Sequence, residues 1–172
     1  MPRPASAPLA VVIVPSQFCA NTFSASGVVA PIRVVPLGVD PEIFHWREFQ
    51  NSPVTFGAAG RMGGGGLRKD LDGVAGAFLE AVPSTLHRDV RLKIKCHPDC
   101  PIQDWSDPRI EVTRAHLSET ELADWYASLT CFVSAPKGEG FGLMQLQAMA
   151  TGRPLISVGF GGVSEFFSSE AG

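Results

Sequence analysis

The chain is poor in cysteine, has no run of like charges and contains no long apolar stretch, and each shortage excludes a class of protein. Cys19, Cys96, Cys100 and Cys131 are the only cysteines in 172 residues. They are too few for a disulfide scaffold and read as reduced thiols of a cytoplasmic protein. Cys96, His97 and Cys100 lie close together, but no second ligand pair follows at zinc-site spacing, so no metal is assigned. The net charge of -3, without any basic cluster, gives no attraction to a phosphodiester backbone and argues against a nucleic-acid partner. The first apolar run, Leu9 to Val14, is six residues long. That is too short for a secretory signal or a membrane span, and it reads as a buried strand. Any membrane association would come from parts outside this chain.

What is present is an ordinary globular composition. With 45% hydrophobic and 18% charged residues, the chain can bury a core, and residues 1–172 are read as one domain. The 18 glycines and 14 prolines are scattered at turns between apolar runs, which implies many short, sharply turned elements. Leu9 to Val14 reads as a strand, Ser16 to Ser26 as a helix capped by Ser16, and Ile32 to Val35 as a strand. Val54 to Ala59 is a strand that runs into Gly60 and Arg61, and the loop Gly63 to Gly66 follows.

Leu71, Val74, Ala75, Phe78, Leu79 and Val82 recur at helical spacing until Pro83 stops them. Val90 to Lys95 and Ile110 to Val112 read as strands. Ser118 with Glu121 spells a capping box, with Leu117 and Leu122 placed for a hydrophobic staple and Leu122, Trp125, Tyr126 and Leu129 as the buried stripe. Cys131 to Val133 is a strand, Leu143 to Thr151 a helix ended by Gly152 and Pro154, and Leu155 to Val158 a further strand. Alternating strands and helices with short turns predict an α/β fold: a Rossmann-like parallel sheet with helices on both faces. Such sheets bind ligands beyond the carboxyl ends of their strands, so chemistry is expected at the strand-to-helix turns.

The most informative segment is Lys137-Gly138-Glu139-Gly140-Phe141-Gly142-Leu143, followed by Gln147-Ala148-Met149-Ala150-Thr151-Gly152 and Pro154. Together with Val14-Pro15-Ser16, the run from Val34 to Asp40 with Phe44, Gly60-Arg61 with Lys69, and Gly161-Gly162 with Glu165, it resembles the group 1 family of retaining glycosyltransferases. The matches occur in the family's order and cover most of the chain. The resemblance implies the C-terminal, donor-binding half of a two-domain GT-B fold. It also implies that an N-terminal acceptor domain and a final C-terminal helix lie outside these residues, leaving the fragment alone inactive.

The resemblance assigns roles to particular residues. A glycine-started helix presents free N–H groups and a partial positive charge, so Gly140, Phe141, Gly142 and Leu143 would cradle a diphosphate. Arg61 and Lys69, with Arg68 as an alternative to Lys69, would stabilise the charge that grows on the leaving diphosphate without a metal. Gly60 would end the strand that delivers them. Glu139 would contact hydroxyls of the transferred sugar.

Eight positions beyond Glu139, where the family usually carries a second Glu for the ribose hydroxyls, this chain has Gln147, an acceptor without the charge. The stretch Val112 to Arg114 falls where the family places the nucleobase, and His97 and His116 also follow strands. Asp70-Leu71-Asp72 resembles a metal-binding acidic pair, but it opens a helix, where acids favour the dipole. The implied ligands are a UDP-sugar or GDP-sugar donor and a sugar, lipid or polysaccharide acceptor, with no cofactor. Two other readings stay open: a dinucleotide-binding oxidoreductase domain, for which Ala58 to Gly63 supplies only part of the glycine fingerprint, and a non-catalytic interaction module.

Overall fold

The computed structural model describes residues 11–48, 52–60, 68–100 and 105–168. Among the described residues, seven strands and four α-helices follow one another, mostly in alternation. They are β1 (Val12–Val14), α1 (Gln17–Ala25), β2 (Ile32–Val34), β3 (Thr55–Gly60), α2 (Leu71–Ala81), β4 (Arg91–Cys96), β5 (Ile110–Arg114), α3 (Glu119–Ala127), β6 (Cys131–Ser134), α4 (Leu143–Ala150) and β7 (Leu155–Ser157). A 3-10 turn, Gly162–Glu165, follows.

The strands divide into two sheets, where the sequence pattern suggested one. Five form a parallel sheet in the order β5-β4-β3-β6-β7, and β1 pairs in parallel with β2 in a separate two-stranded sheet. Pro36, Gly38 and Pro41 keep the chain beyond β2 from continuing that strand.

Strand alternation sends successive side chains of the main sheet to opposite faces. Ala58 on β3 joins a core with Leu71, Val74, Ala75 and Phe78 of α2 and with Leu92 and Ile94 of β4. Ala59, its neighbour, joins Ala123 and Tyr126 of α3, Phe132 of β6 and Ala148 of α4. Helix α2 therefore covers one face, and α3 with α4 covers the other. Phe44, 3% exposed, extends this second core from the segment that follows β2.

Local chemistry fixes the helix ends. Ser118 and Glu121 form the reciprocal capping box. The Ser16 side chain accepts from the Cys19 N–H at the start of α1. After α4 the N–H of Arg153 donates to Ala148 O and that of Gly152 to Met149 O, a Schellman closure that needs Gly152 at φ +82°. Among the described residues, no helix is long and apolar enough to cross a membrane.

A candidate donor site beyond the strand ends

A cavity of about 380 Å³ opens at the carboxyl ends of β3, β4 and β5. Its lining includes Gly60 from the end of β3, Lys95 and His97 from β4 and the turn after it, and His116 from the loop after β5. Arg68 and Lys69 enter from the approach to α2, Glu139 from the loop after β6, and Leu143 and Met144 from the first turn of α4. The first N–H groups of a helix lack intrahelical partners, and the Gly142 cap supplies no side-chain bond at α4. The positive end of the α4 dipole therefore faces the cavity.

The charged centre of the site is an ion pair between Lys69 Nζ and the Glu139 carboxylate, which share a direct hydrogen bond. Both side chains are withdrawn from solvent, at 5% and 12% exposure. Burial holds the Lys69 ammonium below the usual lysine pKa, and the Glu139 carboxylate opposes that shift. The stem of Lys69 crosses directly over Gly60: a Cβ at that position would lie 2.9 Å from Lys69 Cβ and Cγ. Gly60 thus gives Lys69 the room to reach Glu139.

Three further links join the same two loops. Lys137 N–H donates to Arg68 O at 2.8 Å, Arg68 NH1 donates to Gly138 O at 2.8 Å, and Lys137 Nζ lies 3.3 Å from Asp70 Oδ1. Asp70 therefore opens α2 as a left-handed residue, φ 48°, whose carboxylate faces Lys137 instead of capping the helix.

The turn that carries Glu139 is held from behind. Ser16 Oγ donates to Gly140 O at 2.6 Å, and the Cys19 thiol donates to the same oxygen at 3.3 Å. Gly162 N–H donates to Glu139 O at 2.8 Å, and a Cβ on Gly162 would stand only 2.0 Å from Gly140 O. Glu165 reaches across to accept from the Gln17 N–H at 2.6 Å. The glycine pair Gly161-Gly162 permits a backbone-to-backbone approach that no other residue allows.

The structure distributes the expected site residues unevenly. Gly60, Lys69, Glu139 and Leu143 line the cavity. Gly140 and Gly142 shape the turn behind it, and Phe141, 5% exposed, packs on Phe166 at 5.4 Å between ring centroids. Gln147 is 7% exposed and turned to the core, where its Oε1 accepts from Tyr126 OH at 3.4 Å. A neutral amide tolerates that burial against a hydroxyl better than a carboxylate does. Arg114 is exposed at the end of β5 and is not part of the lining.

Arg61 and the Gly63 to Gly66 loop fall outside the described residues. Of the thiol–imidazole group, Cys96 and Cys100 are buried in the α2-side core, while His97 turns to the cavity. Lys95, Leu122 and Met144, which also line it, were not among the expected site residues because only the pairing of strands and helices brings them together. A further unnoticed residue is Gln145, fully buried, whose Nε2 donates to Ser134 Oγ at 3.0 Å and ties α4 to the end of β6.

A larger cavity, about 590 Å³, lies at the amino ends of the strands. Its Arg109 is committed to Asp107 and to the Val82 and His87 carbonyls, and Lys93 to Ser128. Ala127 and Ser128, at the carboxyl end of α3, also line it, so a helix dipole turns its negative end there. The helix end at the carboxyl-end cavity, the N-terminus of α4, has the polarity that favours an anion.

A parallel sheet covered by helices on both faces, with a cavity beyond its strand ends, defines an open α/β domain of the Rossmann-like class. Residues 55–172 match the family described as Glycosyl transferases group 1, and the chain belongs to that family. It is 29% identical over 167 residues to the MMP alpha-(1->4)-mannosyltransferase of Mycolicibacterium hassiacum, covering 88% of this chain and 39% of that protein. The chain thus spans well under half the length of the curated relatives it matches.

Among solved structures it is similar to the C-terminal domain of the glycosyl transferase group 1 family protein LpcC from Francisella tularensis. That likeness has a TM-score of 0.60 at 22% identity, over 77% of this chain and 76% of that one. The pneumococcal O-GlcNAc transferase GtfA, in complex with UDP and GlcNAc, aligns with a TM-score of 0.68 at 20% identity over 94% of this chain and 33% of that one. These likenesses show the fold, a Rossmann-like α/β domain of the GT-B type.

Proposed function

We propose that this domain binds the nucleotide-diphosphate sugar donor of a retaining glycosyltransferase, and that the cavity around Lys69 and Glu139 holds the diphosphate and the sugar. The observation that carries the reading is a buried ammonium beside a helix N-terminus at the carboxyl end of a parallel sheet. As the bond from sugar carbon to phosphate oxygen breaks, negative charge grows on the leaving diphosphate. Lys69, the amides of the first turn of α4 and Arg61 stabilise that charge without a metal. Glu139 accepts from sugar hydroxyls and favours a cation-like transition state. The acceptor hydroxyl attacks from the face that the diphosphate leaves, and a phosphate oxygen takes its proton.

A second, acceptor-binding domain closes over this one in the proposal, so the chain alone binds donor and transfers little. Gln147, hydrogen-bonded to Tyr126, supports α4 from the core side in this arrangement. The four free thiols suit a cytoplasmic setting. A UDP- or GDP-sugar is the proposed donor, and GtfA, similar in fold, is a UDP complex.

Calorimetric titration with UDP, GDP, ADP and NAD tests the reading. Binding of a nucleoside diphosphate in preference to NAD is expected. Preference for NAD would support a dinucleotide-binding domain, and no binding of any nucleotide would leave an interaction module.

A further inference from the structure

A polar side chain is buried at a net cost beneath the first turn of α4. Gln145 is fully buried, and its Nε2 donates to Ser134 Oγ at 3.0 Å. Its Oε1 has no hydrogen-bond partner among the described residues. A buried carbonyl without a donor loses at least as much free energy as one net hydrogen bond returns, so an unbranched apolar side chain would hold α4 to the sheet as firmly. Stability therefore does not account for an amide here.

Its place in the chain does. Ser134 ends β6, and Gln145 lies in the first turn of α4. Between them runs the loop from Ala135 to Gly142, which carries Glu139, and the bond between the two side chains straps the base of that loop. The amide also packs on the helix cap: a Cβ at Gly142 would stand 3.4 Å from Gln145 Cδ and Oε1. The free N–H groups of α4 start from that cap. We propose that Gln145 is a positioning residue of the anion site, which through Ser134 fixes the first turn of α4 and the Glu139 loop against the end of β6, at a cost in stability. The proposal rests on the reading of the cavity as a diphosphate site. Gln145 acts there through other residues, since it is not part of the lining.

The sheet supplies a comparison side by side with the strap. Ser157 of β7 is the register partner of Ser134, so the two hydroxyls stand on the same face, about 4.8 Å apart from strand to strand. Ser157 Oγ is likewise buried and has no partner among the described residues, whereas Ser134 Oγ takes the amide.

Thermal melts of the chain and titrations with inorganic pyrophosphate test the strap. Gln145→Met keeps the length and helix propensity of the side chain and removes the amide. It is expected to melt no lower than the native chain and yet to bind pyrophosphate about 5- to 10-fold more weakly, the equivalent of one hydrogen bond. Ser134→Ala leaves the whole amide unpartnered, so it should melt lower by roughly 2 to 4 °C while losing the same affinity. The double variant should bind no more weakly than either single one, as two ends of one link do. Ser157→Ala should bind as the native chain does. Native affinity in Gln145→Met, affinity that follows the melting temperature across the variants, additive losses in the double variant, or a loss in Ser157→Ala equal to that in Gln145→Met would each overturn the positioning role while the anion site stands. If the native chain binds no pyrophosphate, the reading of the cavity fails, and the role of Gln145 fails with it.

Discussion

Lys69 concentrates the chemistry of the site in one atom. Its ammonium is buried, held by Glu139 and aligned by the missing side chain of Gly60. Under the proposed function, replacing it with alanine removes a cation that faces the leaving group. In a transferase completed by the proposed acceptor domain, we expect a barrier higher by about 3 to 4 kcal/mol, read as a loss of roughly 10²- to 10³-fold in kcat. Because burial lowers the Lys69 pKa from its ordinary 10.5, deprotonation of the free site begins below the usual lysine range.

The sign of the pH dependence follows. Between the folded and unfolded values the unfolded chain binds more protons, so this group's contribution to stability improves as pH rises. Anion affinity moves the other way and falls as pH rises through the folded value. Titrations with pyrophosphate from neutral to alkaline pH should show that fall, and Lys69→Arg should shift it to higher pH, since a guanidinium stays charged. A flat profile for the native chain up to the ordinary lysine range would contradict this role for Lys69. Gly60→Ala belongs to the same set: the added methyl meets the Lys69 stem, and weaker pyrophosphate binding is the expected result.

At the scale of elements, helix ends decide where the site's groups point. The capping box of α3 was legible in Ser118 and Glu121 because capping is local, set by residues three apart. Ser118→Ala should cost about 1 kcal/mol, a fall in Tm of roughly 2 to 4 °C by thermal melting, with no effect on ligand binding. The start of α4 obeys different rules. Its Gly142 cap has φ +100°, and the turn before it is packed against Gly161-Gly162 too closely for any side chain. Gly162→Ala should therefore destabilise the chain by about 1 to 3 kcal/mol and weaken diphosphate binding as well. Loss of stability with unaltered binding would show that the turn behind Glu139 does not shape the anion site.

Across the whole molecule, a marginal piece is fastened to a robust one. A two-stranded sheet is weak alone, yet β1 and β2 are tied to the main domain through the start of α1. Ser16 and Cys19 reach the Gly140 carbonyl, and Glu165 takes the Gln17 N–H. Ser16→Ala removes a helix cap and one bond of this clasp together. An expected loss of about 1 to 2 kcal/mol in denaturant unfolding should come with faster hydrogen exchange in α1, while exchange in β3 and β4 stays slow.

The sequence by itself determined the elements and their order: periodicity, caps and glycine stops are short-range signals, and apart from β1, which starts at Val12 where Leu9 was expected, the described strands and helices fall within one or two residues of the predicted bounds. The family resemblance of its motifs also marked Lys69 and Glu139, at strand-to-helix turns where parallel sheets bind ligands. Only the tertiary structure decided that the two side chains pair with each other, that Gln147 turns inward to Tyr126, and that β1 and β2 leave the main sheet. It alone placed Lys95, His97, His116 and Leu122 around one cavity. Those outcomes depend on contacts between residues tens of positions apart, and strand pairing and packing, which no local pattern encodes, settle them.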